Sequence, residues 1–285
     1  MTQIFSDYLP ESELSLFART PPGQEQVLSP DLFRALSLSE KLHSESKGAF
    51  DVTAGPFIRL WRLSRKSHRL PSAELLESAR SRTGMSFLVL DPIRFSATKL
   101  VDGMLFDLGG IAKGYAADEA LEILKMAGLS QSLIAASGDV VVGDPPPGTG
   151  FWRIELRTFP ATTSQSSKIA VALTNAAVST SGDTQQYIEI DGQRYSHIVS
   201  PTTGLGLTER IAVSVIAPNA TTSDSYATTV ALLGKKEGLQ FIENKREIEC
   251  RIVGLQHGQE VVIASNGFHQ FEEKRGSKKD PITSP

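Results

Sequence analysis

Three stretches of this 285-residue chain combine chemically able residues with spacings that could aim them at one ligand. The first runs from Phe106 to Tyr115, with Asp107 at a strand end, Gly109-Gly110 at a helix entry and Lys113 in the first turn. A helix N-terminus offers N–H groups and partial positive charge, which favour a phosphate. Glycines let backbone approach closely, and Lys113 adds a full charge. The same residues also suit a tight strand-to-helix turn with a solvated lysine, since neither a dinucleotide fingerprint nor a Walker lysine is present. The second stretch, Thr221 to Thr228, sets Asp224 and Thr228 one turn apart on a helix face, where both offer hard oxygen donors for magnesium or calcium. Alternatively, Asp224 is a solvent-facing first-turn acid helped by the helix dipole, and Thr228 bonds back to the backbone. The third, Ser196 to Gly204, holds His197 near a turn. An imidazole's ordinary pKa of about 6.5 fits it for general-base work, and a role tying neighbouring loops is the other reading.

Two further clusters are ambiguous. Gly48 to Pro56 reads as a glycine-bounded loop that clamps a planar ligand, or as a helix stop and re-entry. Thr180-Ser181-Gly182-Asp183 is a donor-rich turn. His43, His68, His257 and His269 stand in charged or polar settings and read as surface residues.

The elements that must position these residues follow from periodicity and punctuation. Ser29-Pro30 opens a helix running to about Lys47 and stopped by Gly48, and Pro71-Ser72 repeats the start signal. Phe87–Leu90, Arg94–Ala97 and Met104–Leu108 read as strands. Apolar residues from Ala112 to Ala127 recur at helical steps, with Gly128 as the stop. Beyond that the pattern is mostly β. Trp152–Leu156 and Tyr187–Ile190 alternate, Asp191-Gly192 turns a hairpin into Arg194–Val199, and Ile211–Ala217, Ile248–Val253 and Glu260–Ala264 follow. Ser223, Asp224 and Ser225 lead into one more helix over Tyr226–Leu233, closed by Gly234. The predicted fold is a single α+β domain over residues 1–271, mixed and mainly antiparallel in its sheet with packed helices. Residues 272–285 are polar and charged and read as a disordered tail.

Composition narrows the function. A net charge of −3 gives no broad basic field, so nucleic-acid binding is disfavoured. No apolar run reaches the ~20 residues of a membrane span. With one cysteine, Cys250, there is no disulfide framework, and its apolar strand context marks it as a small buried hydrophobe. The 5 histidines never pair at zinc spacing.

In this order, Ser12-Glu13-Leu14-Ser15, Gly48 to Thr53, Asp107 to Ala116, Thr180 to Asp183, Tyr195 to Ile198 and Asp224 to Thr228 resemble the FAD:protein FMN transferase family, often called ApbE-like. The resemblance runs from Tyr8 to about Phe268. It implies a magnesium-dependent enzyme that moves FMN from FAD onto a threonine or serine of an acceptor flavoprotein and releases AMP. It implies FAD contacts at Tyr8, Ala49, Phe50, Asp51, Asp107, Lys113 and Ile198. It implies Mg2+ held by Asp224, Thr228 and the Gly110 carbonyl, and His197 as the base for the acceptor hydroxyl. An all-oxygen ligand set does not suit a zinc hydrolase.

The chain departs from the family pattern in two places. Ser137 stands in Ala136-Ser137-Gly138-Asp139 where the family usually has Gly-Gly-Asp. An export signal and a first flavin-touching strand are not found ahead of Tyr8, so either the start lies upstream of Met1 or this is a reduced variant. As written, with no signal peptide, the chain is expected in the cytoplasm, although the family is often exported and membrane-anchored. Two other functions fit the same residues: a magnesium-dependent FAD pyrophosphatase giving FMN and AMP, and a non-catalytic flavin-binding protein.

Overall fold

Serine side chains mark where the N-terminal helices begin. After the short α1 (Thr2–Phe5), Ser12, Ser29 and Ser72 each accept a backbone N–H bond from three residues on, opening α2 (Glu13–Arg19), α3 (Pro30–Glu45) and α5 (Ala73–Arg80). Between α3 and α5 the ambiguous glycine-bounded segment is a stop and re-entry. The chain turns through Lys47 and Gly48, at φ 54° and 85°, and α4 (Gly55–Ser67) starts on a Gly-Pro pair. The computed structural model describes residues 1–156, 169–182, 187–256 and 259–273. His257, Asp183 and residues 274–285 of the expected tail lie outside the described residues.

A small antiparallel sheet follows, ordered β1-β3-β2, from β1 (Glu25–Val27), β2 (Leu88–Asp91) and β3 (Ser96–Lys99). The expected strand at Met104–Leu108 is not formed. Leu105 makes one isolated bridge to Ala54, and Asp107 donates its N–H to the Val52 carbonyl at 2.8 Å, so this segment runs beside a loop that cannot supply a ladder. That pairing brings the turn before α6 (Ala112–Met126) against the turn before α4.

The rest of the chain builds the main sheet from β4 (Leu133–Ala136), β5 (Asp139–Val142), β8 (Ala176–Gly182), β11 (Ile211–Ala217), β12 (Glu249–Gln256) and β13 (Gln259–Ala264). These six strands lie in the order β13-β12-β11-β8-β5-β4, every pair antiparallel. The hairpin of β6 (Trp152–Leu156) and β7 (Ile169–Leu173) and that of β9 (Tyr187–Ile190) and β10 (Gln193–Ser196) form separate pairs. Asp191-Gly192 makes the second hairpin turn with both φ angles positive, at 50° and 77°. Glu272 and Glu273, assigned by sequence to the tail, instead run beside β7: Glu272 bridges Val171, and the Glu273 N–H bonds the Ala170 carbonyl.

α7 (Ala220–Glu243) lies on this sheet. Asn219 caps it by accepting from Thr222, so the helix starts earlier than the sequence suggested and Asp224 falls in its second turn. Gly234 does not end it either. With φ 79° and ψ 179°, that glycine makes a kink, and helix resumes to Glu243. One apolar body joins α2, α3 and the α6 entry through Phe17, Leu36, Phe106 and Ile111. Another seats α7 on the sheet through Val213, Val215, Val230 and Ile252, and takes in the fully buried Cys250. Among the described residues, no helix is long and apolar enough to cross a membrane.

α6 and α7 touch where Gly114 faces the first turn of α7. A Cβ there would collide with the Ala220 carbonyl. Gly114→Ala should therefore force the helices apart and lower stability by about 1–3 kcal/mol, the usual cost of overpacking; urea unfolding followed by circular dichroism checks this.

Candidate active site

Every residue singled out as a site residue, except Asp224, lines one cleft of about 510 Å³ between the helical body and the main sheet. Asp224 lies buried behind Lys113, 1% exposed. The expectation of a solvent-facing carboxylate is thus corrected, because α6 packs against the first turns of α7 at Gly114 and covers the face that carries Asp224.

The entrance to α6 forms one wall. The Asp107 side chain accepts from the Gly109 N–H at 2.8 Å and so shapes the Gly109-Gly110 turn. Gly110 sits between the Phe50 ring and Thr228, where a Cβ would lie 3.2 Å from one and 3.0 Å from the other. One turn into α6, the Lys113 ammonium lies 2.8 Å from Asp224 Oδ1 and 3.0 Å from Asp139 Oδ2. Asp224 Oδ2 accepts from the Gly114 N–H at 3.0 Å. Burial pushes the Asp224 carboxyl up to about 6; Lys113 pulls against that shift and Asp139 adds to it. Burial works against the charge on Lys113, but the two carboxylates outweigh it and hold its pKa above the ordinary lysine value.

The loop after α3 forms a second wall. Asp51 accepts from the Thr53 N–H and hydroxyl, and burial nonetheless raises its pKa. His43, read from sequence as a surface residue, is half-buried and holds this loop. Its Nδ1 lies 3.0 Å from the Phe50 carbonyl, which can only accept, so Nδ1 carries the proton. A third wall comes from β10 and the turn after it. Trp61 of α4 donates to the Ser196 carbonyl, while Leu207 and Ser196 close the turn through bonds to Ile198 and Leu207. This leaves His197 exposed and Ile198 half-buried at the cleft.

Sequence reasoning missed three contributors. Arg62 bonds Asp107 at 2.8 Å, pairs with Asp7, and lies 4.2 Å over the ring of the exposed Tyr8. The N-terminal segment is thereby tied to the cleft floor. The only available signal was that Ile58, Trp61, Arg62 and Arg65 share one face of α4. Burial and the neighbouring Asp7 raise the Asp107 pKa despite Arg62. Ser181, noted only within a donor-rich turn, lies 3.2 Å from the Thr228 hydroxyl; Thr228 is therefore not simply bonded back to its own helix. Asp139, quoted only within the run that departs from the family's Gly-Gly-Asp pattern, completes the charged cluster. It follows Ser137 and Gly138, whose φ values are 51° and 104°, so Ser137 occupies a left-handed position that glycine adopts more easily.

Among the described residues, no group of three or more His, Cys, Asp or Glu side chains could hold a metal. The candidate cation site rests instead on mixed oxygens: the Asp224 carboxylate, the Thr228 hydroxyl and the Gly110 carbonyl. These residues adjoin one another, and the buried Asp139 lies beside them, its Oδ2 3.0 Å from the Lys113 ammonium. A hard divalent cation suits that set.

Chains with this architecture and these motifs define a flavin-transferring class. The chain belongs to the ApbE family, whose model matches residues 1–252. It is 29% identical to a Vibrio cholerae protein named FAD:protein FMN transferase, covering 94% of this chain and 80% of that one. A Chlamydia muridarum protein of the same name is 32% identical, covering 85% and 76%. The solved flavin transferase ApbE from Vibrio cholerae superposes with a TM-score of 0.86 at 27% identity, over 95% of this chain and 86% of the other. The Pseudomonas stutzeri flavinyl transferase ApbE, in its apo form, gives 0.83 at 29% identity, over 95% and 84%.

The raised Asp224 carboxyl has a consequence for stability in cation-free buffer. Between the unfolded value of 3.8 and about 6, the folded chain holds the extra proton, so this residue makes folding less favourable as pH rises through that window. Asp224→Asn should flatten that part of the profile, as compared by urea midpoints at steps across the window.

Proposed function

We propose that this protein transfers FMN from FAD to a threonine or serine hydroxyl of an acceptor flavoprotein, releasing AMP, in a Mg2+-dependent reaction. The observation that carries this reading is the convergence on one cleft of a glycine-rich helix entrance with Lys113, an oxygen-rich charged cluster, and the exposed His197. The Gly109-Gly110 turn and Lys113 bind and orient the pyrophosphate of FAD by backbone approach and charge. Phe50, Tyr8 and Ile198 offer apolar contact for the flavin, and Asp51 and Asp107 offer acceptors for its polar edges. Asp224, Thr228 and the Gly110 carbonyl would hold Mg2+, which supplies neutralisation of phosphoryl-oxygen charge when bound.

His197 takes the proton of the acceptor hydroxyl. The hydroxyl oxygen forms a bond to the FMN-side phosphorus, and the bond from that phosphorus to the bridging oxygen breaks. The electron pair leaves on the phosphate of AMP. Water in place of the protein hydroxyl would give free FMN and AMP. Incubation with FAD and Mg2+ alone separates the two: the transferase reading expects almost no AMP until acceptor is added, and rapid acceptor-free AMP release would replace it by hydrolysis. Retained flavin with no AMP under any condition would leave only a carrier.

Two substitutions probe the assignments. His197→Ala should slow single-turnover transfer by about 10²–10⁴-fold while FAD affinity changes little. A histidine that only ties loops would instead lower thermal stability and FAD affinity together. Asp224→Ala should abolish Mg2+-dependent AMP release. Because Asp224 is buried and paired, that variant should also lose stability, so Asp224→Asn serves as the near-isosteric control, expected to stay folded and lose AMP release.

A further inference from the structure

The Lys113 ammonium occupies the place beside Asp224 that a divalent cation would need. Asp224 Oδ2 is engaged by the Gly114 N–H, which leaves Oδ1 as the oxygen for a cation, and Lys113 lies 2.8 Å from it. Two positive charges repel strongly at such separations in a partly desolvated site, so ammonium and metal ion cannot share Oδ1. The alternative partner for Lys113 is already in position. Asp139 is 2% exposed, and its Oδ2 lies 3.0 Å from the ammonium. Asp139 is also fixed in place. It is the first residue of β5, paired to Ser179 of β8, directly after the Ser137-Gly138 turn. Lys113, in contrast, carries its charge on a flexible four-carbon stem.

We propose that Asp139 is a positioning residue that takes over the Lys113 ammonium when a divalent cation displaces it from Asp224. Lys113 is then an internal cation that balances the carboxylates before metal enters and remains in the cleft afterwards, beside the helix entrance. This inference rests on the reading of Asp224 as a metal ligand. It assigns Asp139 no direct bond to metal or flavin.

The test uses Mn2+ alone, without flavin, titrated into the full chain and followed by the electron paramagnetic resonance signal of free Mn2+. Circular dichroism confirms that each variant is folded. Asp139→Asn should weaken Mn2+ binding by about tenfold or more, because Lys113 is then left on Asp224 alone. Lys113→Met should tighten it by a similar factor, because the competing charge is gone, whereas Lys113→Arg should keep affinity near the starting value. In a Lys113→Met background, Asp139→Asn should have little further effect; if Asp139 were itself a ligand, its full effect would persist. Wild-type affinity in Asp139→Asn, weaker or unchanged binding in Lys113→Met, or a persistent Asp139 effect in the double variant would each overturn the proposal. Asp224→Asn serves as the separate control: if it binds Mn2+ like wild type, the assignment of the metal site itself fails. Should Lys113→Met prove unfolded, Lys113→Gln takes its place in both the single and the double variant, with the same outcomes expected and the same ones overturning the proposal.

Discussion

The ion cluster between α6 and α7 is the interaction on which the rest of the cleft depends. Two carboxylates, each almost wholly buried, share one ammonium. Buried like charges repel, and removing the ammonium would leave two carboxylates uncompensated in a poorly solvated place. The cluster is workable only because the two helices approach until backbone meets backbone at Gly114, which lets an amide of α6 bond the Asp224 side chain directly. That approach also sets the neighbouring geometry. It brings Thr228 against Gly110 and Ser181, places β5 behind Lys113, and opens the first turn of α6 toward the cleft.

Around this cluster the cleft is a seam between two differently built bodies. The helical body supplies walls that grip through packing and caps, with His43 and Trp61 fastening the loop at Phe50 and the turn at Ser196. The sheet supplies strand ends whose positions are set by ladders on both sides. A ligand spanning the seam would touch one wall held by side chains and another held by backbone pairing.

Local features were legible in the sequence where local physics decides them. The alanine-rich period of α6 with Gly128 beyond it, the Ser29-Pro30 and Ser72 starts, and the Asp191-Gly192 turn all read directly. Errors arose where a signal had two meanings. Ser223, Asp224 and Ser225 are themselves good caps and masked the true cap at Asn219, while Gly234 looks like a stop because glycine usually is one. Met104–Leu108 has the composition of a strand, but strand formation needs a neighbour, and its neighbour is the loop near Ala54. The site motifs were readable as an ordered set. Their mutual contacts were not, because Lys113 and Asp224 are 111 residues apart and Arg62 and Asp107 are 45 apart, and no local pattern encodes such pairs.

Arg62 gives the cleft a coupling of another kind. One guanidinium joins Asp7, near the start of the chain, to Asp107 at the helix entrance, with Tyr8 lying against its face. A neutral residue at 62 would strand two partly buried acids close together, and a change at either acid would unbalance the arginine. Over evolutionary drift these positions are therefore not independent. Replacements tolerated by homologous chains should come as matched sets, with an aromatic at position 8 accompanying the arginine, so that positions 7, 8, 62 and 107 carry one shared history of the cleft floor.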